Sequence, residues 1–319
     1  MTKKNNFLTN SIIYIFLISF IFSFLHGQGF YGYGNDYYAV YHENNLNFGS
    51  IFNRLGWIIS TFTLNDIHLG VHITSFILSL SFGYLLRSIF KTKNIYDLLF
   101  FLLIMIIGIH TWPIIMCTSN GMRQGLCMSM IFLTIAYNFE KNFFLSFTFL
   151  FLALFMHKSG PYIVVIYLFS FVAKYYADKL FNFKNIFYAF STITIFIISL
   201  TLLIYFEQGE PGSRIIFKDY RYHFAIIGIL YSIGFWYLGK ILQKDILHIF
   251  VYHYIIATYS VLYLQYNYEY ERLLMIILIP IMFSVGLILN KRSFYLYCLP
   301  IFLSLLGLTI YNGMYNSFS

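Results

Sequence analysis

Residues 95–126 read IYDLLFFLLIMIIGIHTWPIIMCTSNGMRQGL. Up to Met116 the only charged side chain is Asp97, near the start. About 20 apolar residues in a helix cross the hydrocarbon of a bilayer, so 95–116 is expected to be one span. A second apolar run follows at once and predicts another span over 120–138. The turn between the two carries Arg123, a guanidinium at the edge of the hydrocarbon. Such a group is costly there unless it has work or a partner.

Apolar runs of the same kind fill the rest of the chain. They lie near 7–25, 67–88, 142–157, 160–176, 186–206, 222–239, 246–266, 273–289 and 294–311. The expected fold is all-α: a polytopic integral membrane protein of about 11 transmembrane helices, forming a single membrane domain over 1–319. Of the 319 residues, 60% are hydrophobic and only 10% charged, with a mean hydropathy of +0.73. A soluble surface needs far more charge. Little sequence remains for a separate soluble catalytic domain, so the chemistry belongs to the spans and their loops. The first run follows Lys3 and Lys4 and has no small-residue cleavage site after it, which predicts a retained anchor helix.

The net charge of +8 sits in short loops and does not form a nucleic-acid surface. With the amino terminus cytoplasmic, the inner loops hold Lys3, Lys4, Arg87, Lys91, Lys93, Lys141, Lys174, Lys179, Lys184, Lys240, Lys244, Lys291 and Arg292. The outer side holds Arg54, Arg123, Lys158, Arg214, Lys218, Arg221 and Arg272. The excess of bases on the first set follows the positive-inside rule. Of the acids, Asp97, Glu140, Asp178 and Asp245 fall inside and the other eight outside, so the outer side is close to neutral. Insertion alone accounts for the inner lysines. The outer bases need another reason and become the functional candidates.

The long loops are also outer: 26–66 and 207–221. Within the first, Phe48 to Phe62 is apolar but too short to span, and is expected to lie at the interface or dip into it. Ser119 or Asn120 is expected to cap the helix that carries Arg123 in its first turn. Backbone N–H groups and the positive end of the helix dipole then point with the guanidinium, and together they suit an anion. Arginine holds phosphate oxygens with two bonds. His157 and Lys158 close the span before Gly160 and Pro161, at the same expected depth as Arg123. There His157 could bind a phosphate or act as a general base. Arg214, Lys218 and Arg221 form a basic set on the second long loop, and Arg272 opens a span directly. Asp36 and Glu43, in the first loop, could hold a sugar hydroxyl or take its proton.

Other patterns carry less. His68 and His72 are four apart on one face but lack a third ligand, and His248 and His253 do not share a face well, so no metal is expected. Cys117, Cys127 and Cys298 have neither metal nor disulfide spacing and read as packing residues. No phosphate-binding glycine loop, serine elbow or kinase pattern is present, which argues against ATP hydrolysis. There is no internal repeat of fixed period.

Three segments together resemble the EpsG/Wzy-type bacterial polysaccharide polymerases. They are Gly34-Asn35-Asp36-Tyr37-Tyr38 with Tyr41, then Asn120-Gly121-Met122-Arg123-Gln124-Gly125-Leu126, then Ala153-Leu154-Phe155-Met156-His157-Lys158-Ser159. Their order and spacing are similar to the family's over roughly residues 30–165, and Arg272 extends the likeness. Cys127 stands where the family often has alanine, and Met156 where phenylalanine is common. The resemblance implies a GT-C-like architecture in the bacterial inner membrane. It implies polymerisation of undecaprenyl-pyrophosphate-linked repeat units on the outer face, without metal, cofactor or ATP. Arg123, Arg272 and His157 would then be catalytic, with Asp36, Gln124, Lys158, Arg214 and Arg221 binding substrate. Lipid-linked glycans and the bilayer would be the partners, with a chain-length regulator and a flippase as candidate companions. The competing expectation is a lipid-linked oligosaccharide flippase or other polytopic transporter, which should contain broken helices.

Overall fold

The computed structural model describes residues 3–30, 51–61, 69–90, 92, 94–119, 121–179, 246–263, 276–281 and 283–284. Among these residues the chain is helical and holds no strand. The elements are α1 (Lys3–Gly27), a 3₁₀ turn (Ile51–Asn53), α2 (Arg54–Ser60), α3 (Leu69–Ile89), α4 (Ile95–Ile109), α5 (Trp112–Ser119), α6 (Met122–Phe139), α7 (Phe143–Ala153), α8 (Gly160–Lys179) and α9 (Ile246–Tyr263). By length and hydropathy α3 can cross a membrane alone, and α4 with α5 makes a second, bent candidate. The expected spans 186–206, 222–239 and 294–311 lie outside the described residues.

The described residues fall into two compact units, one ending at Gly160 and one from Pro161 onward. In the first, α1, α3, α6 and α7 pack side by side. Their helix ends are set locally. Asn94 caps α4 by accepting from Asp97 N at 2.8 Å, and Asn142 caps α7 by accepting from Leu145 N at 3.2 Å. Both satisfy a first-turn N–H that the helix leaves open. Lys141, with φ 61°, makes the reversal between α6 and α7, and Asn142 N returns to Tyr137 O at 2.9 Å.

The inner faces use small residues and hydroxyls, as helices in a membrane do. Gly83 lets Ile15 and Met105 close on α3, and the carbonyl of Cys117 lies against Gly125. Ser23 Oγ donates to His72 O at 2.7 Å, and Ser146 Oγ donates to Thr134 O at 2.8 Å. At one end of α6, Glu140 receives the Tyr84 hydroxyl at 2.8 Å and faces Arg87 at 3.7 Å. The 18 residues of α6 put Arg123 near the opposite end, about 25 Å away at 1.5 Å per residue.

The run quoted at the start differs from the single span expected over 95–116. It breaks at His110 and Thr111, and α5 turns 56° from α4. Pro113 has no N–H and cannot continue the ladder from α4. Bonds of the i→i−3 kind replace it, from His110 N to Ile107 O and from Thr111 N to Gly108 O, both at 3.1 Å. Side chains take the remaining load. His110 Nδ1 bonds Ile106 O at 2.7 Å and Thr111 Oγ1 donates to Gly108 O at 2.6 Å. Irregular backbone at membrane depth persists only when its polar groups are met in this way. Thr118, near the far end of α5, bonds His26 Nε2 of α1 at 2.9 Å.

In the second unit, α9 carries two buried histidines. His253 Nδ1 meets Ser170 Oγ of α8 at 2.9 Å, and His248 Nδ1 meets Ser284 Oγ at 2.5 Å. They serve different helices, consistent with their five-residue offset. Tyr162 and Tyr167 of α8 pack edge-on against Tyr254 and Phe250.

A Cβ added at Gly125 would stand 2.2 Å from Cys117 O. Gly125→Ala is therefore expected to push α5 off α6 and destabilise the fold by about 1–3 kcal/mol, as overpacking does. A lower melting temperature of the detergent-solubilised protein is the expected readout, and an unchanged one would mean that α5 and α6 do not meet closely here.

Candidate functional site

The helix that carries Arg123 begins one residue before it. Gly121, not Ser119 or Asn120, stands at the cap position of α6, with φ −116° and ψ 49° and no side-chain cap. Asn120 itself lies outside the described residues. Gly121 N bonds Met116 O at 2.9 Å, and this closes the α5–α6 reversal through the backbone instead. Arg123 falls in the first turn, as expected, and is half-buried, while Met122 and Gln124 on either side are buried. The Gln124 carboxamide oxygen lies beside Gly121.

The guanidinium of Arg123 lies over an aromatic ring. Its Cζ stands 3.9 Å from the centroid of Trp57, which is 5% exposed. Stacking on the indole offsets part of the cost of holding the cation in apolar surroundings, by about 2 kcal/mol or more where the pair is desolvated. Trp57 belongs to α2, within the short apolar segment 48–62 that the sequence expects at the interface. The structure packs α2 into the bundle against α6 and α3.

Glycine makes that approach possible. Gly56 N donates to Phe155 O at 3.1 Å, and a Cβ on Gly56 would stand 1.8 Å from Met156 O. The backbone of α2 thus lies directly on the residues that precede His157. Phe52 stacks on Phe155 at 6.4 Å. The other end of α2 is held by Thr61 Oγ1, which donates to Trp57 O at 2.6 Å, and by Gly70, which admits Ser60 O. One short helix therefore touches both Arg123 and the turn that carries His157.

That turn is tight. Gly160 N bonds His157 O at 2.7 Å, and Gly160 also admits Ala153 O. His157 is 5% exposed. Its Nδ1 accepts the Ser159 backbone N–H at 3.2 Å and lies 2.7 Å from Ser159 Oγ. A backbone N–H can only donate, so the neutral ring carries its proton on Nε2. Nε2 is then a donor and not an acceptor. Lys158, next to it, is half-buried.

Of the residues expected from sequence, Arg123, Gln124, His157 and Lys158 lie at this one end of the first unit. Arg272, Asp36, Arg214 and Arg221 lie outside the described residues, as do Glu43, Lys218 and His68. The His72 ring packs against Gly27. Sequence reasoning missed Asn53, Gly56, Trp57 and Ser159. The short apolar run was the available signal for the first three. Ser159 was quoted only as part of a motif, and its hold on the imidazole needs the turn geometry to be seen.

Replacing Trp57 by Leu is expected to remove the ring beneath the guanidinium and to destabilise the protein by about 1–2 kcal/mol. Trp57→Phe keeps a smaller ring and is expected to lose less. Thermal melts of both variants check the order, and equal losses would mean that the ring face does not matter.

No curated protein and no solved structure matches the chain. The EpsG family model matches residues 9–318, nearly the whole length. On that match the chain belongs to the EpsG family.

Proposed function

We propose that this protein polymerises undecaprenyl-pyrophosphate-linked repeat units by glycosyl transfer, on the outer face of the bacterial cytoplasmic membrane. Membership of the EpsG family points to a membrane protein with a polysaccharide-polymerase-like function. The finer reading rests on one observation. Short helix α2 seats the Arg123 guanidinium on Trp57 and also packs on the turn carrying His157. The polytopic arrangement of about 11 spans, the cytoplasmic amino terminus and the GT-C-like architecture belong to the same proposal.

In the reaction, a hydroxyl of the incoming unit attacks the anomeric carbon of the donor glycan. The bond from that carbon to the pyrophosphate oxygen breaks, and undecaprenyl pyrophosphate leaves with the electron pair. Negative charge builds on the leaving group, so cations and N–H donors fixed beside it stabilise the transition state more than the ground state. Arg123 supplies its guanidinium, and the start of α6 supplies first-turn N–H groups. His157 supplies its Nε2–H. Arg272, Arg214, Arg221 and Lys158 are the further bases assigned to the lipid pyrophosphate, and Gln124 and Asp36 to the glycan. With its proton on Nε2, His157 is a ligand of the leaving group. The acceptor's proton goes elsewhere, to the departing pyrophosphate or to Asp36. The donor is already activated, so neither metal nor ATP has a step to perform.

A flippase reading draws support from the break between α4 and α5, since transporters use interrupted helices. Deletion separates the two. Cells lacking a polymerase display single repeat units outside, whereas cells lacking a flippase display none. Arg123→Ala is expected to reproduce the deletion, with a rate loss of about 10²-fold or more, as for one oxyanion donor. Wild-type polymer from Arg123→Ala would refute the assignment. His157→Gln keeps a terminal N–H and is expected to retain more activity than His157→Ala. Equal inactivity would overturn the donor role given to the ring.

A further inference from the structure

We infer that the Asn53–Trp57 face of α2 is a sugar subsite, in which the Asn53 carboxamide oxygen accepts a hydrogen bond from a hydroxyl or N-acyl N–H of the glycan ring next to the pyrophosphate. The inference rests on the proposed function and adds to it the group that reads the sugar.

Asn53 is 3% exposed, and among the described residues its Oδ1 meets no donor. A buried amide oxygen left in this state is costly, and native structures hold few of them. The local explanation fails. Asn53 directly precedes α2, where an asparagine oxygen commonly accepts a first-turn N–H. No such bond forms here, and its φ of −117° and ψ of −11° already place it in helical conformation. The acceptor is not spent on its own helix.

Its place follows from the spacing. Asn53 and Trp57 are four residues apart, so they share one face of the helix, with Cβ atoms about 5–6 Å apart. Trp57 carries the Arg123 guanidinium on that face. A ligand whose anionic part sits at Arg123 therefore brings its neighbouring atoms to Asn53. An amide oxygen recognises donors and repels phosphate oxygens. On the polyprenyl side of a lipid pyrophosphate there are only hydrocarbon groups. On the other side is a sugar ring, whose hydroxyls and acylamino groups are donors. The orphan acceptor matches that side.

Binding in lipid nanodiscs tests this with two probes. One is undecaprenyl pyrophosphate, and the other is the undecaprenyl-pyrophosphate-linked repeat unit isolated from cells lacking the protein. Wild type is expected to bind the glycan-bearing lipid about tenfold more tightly. Asn53→Leu is expected to bind both lipids equally, and to melt no lower than wild type because the orphan acceptor is gone. Asn53→Ala, which cannot overfill the site, should behave likewise. The inference is overturned if either variant keeps the sugar increment, or if wild type shows none. It is also overturned if both variants melt lower and lose affinity for undecaprenyl pyrophosphate itself, the mark of a structural asparagine. Failure of the parent reading looks different: Arg123→Ala would then bind undecaprenyl pyrophosphate as wild type does.

Discussion

A guanidinium held over an indole at 3.9 Å is the contact on which the described end of this bundle depends. A permanent cation in apolar surroundings needs an electrostatic partner. The Trp57 ring supplies one through its π-face without neutralising the charge.

The contact propagates outward through the backbone. For Trp57 to reach Arg123, a seven-residue helix must enter the bundle. It can enter only where Gly56 lets its chain lie on the carbonyl of Met156. That carbonyl belongs to the turn in which Ser159 orients the His157 imidazole. Position of the cation and proton placement on the histidine are thus parts of one packed arrangement. The same need to satisfy backbone groups explains α4 and α5, where Pro113 breaks the ladder and the His110 and Thr111 side chains take carbonyls of the preceding turn. A span can be interrupted at low cost when its own side chains serve the freed groups.

Much of this was legible from residue order. Hydropathy alone identified α3, α6 and α8 to within a few residues, because a continuous apolar run of that length hides its peptide groups most simply as a helix. The cation in the first turn of α6 and the histidine turn before Gly160 were also readable, since charge and chain reversal are local features. The cap of α6 was misread, because Ser119 and Asn120 carry the right oxygens but the chain closes through Gly121 backbone instead. The break inside 95–116 was announced by Pro113, yet a window of hydropathy averages across it. Asn53 and Trp57 gave no sign in sequence of what they face, since both are ordinary members of a short apolar segment.

The order of residues by itself determined a helical, strongly apolar chain, the class of its family, and an arginine and a histidine at the ends of adjoining helices. Those follow from composition, period and local turn chemistry. Only tertiary structure decided that α2 turns inward, that Trp57 lies beneath Arg123, and that the histidine proton sits on Nε2. The first two depend on atoms dozens of residues apart meeting within a few ångströms, and no local pattern encodes which distant backbone a glycine will admit; the third depends on the geometry of the turn that sets Ser159 on the imidazole.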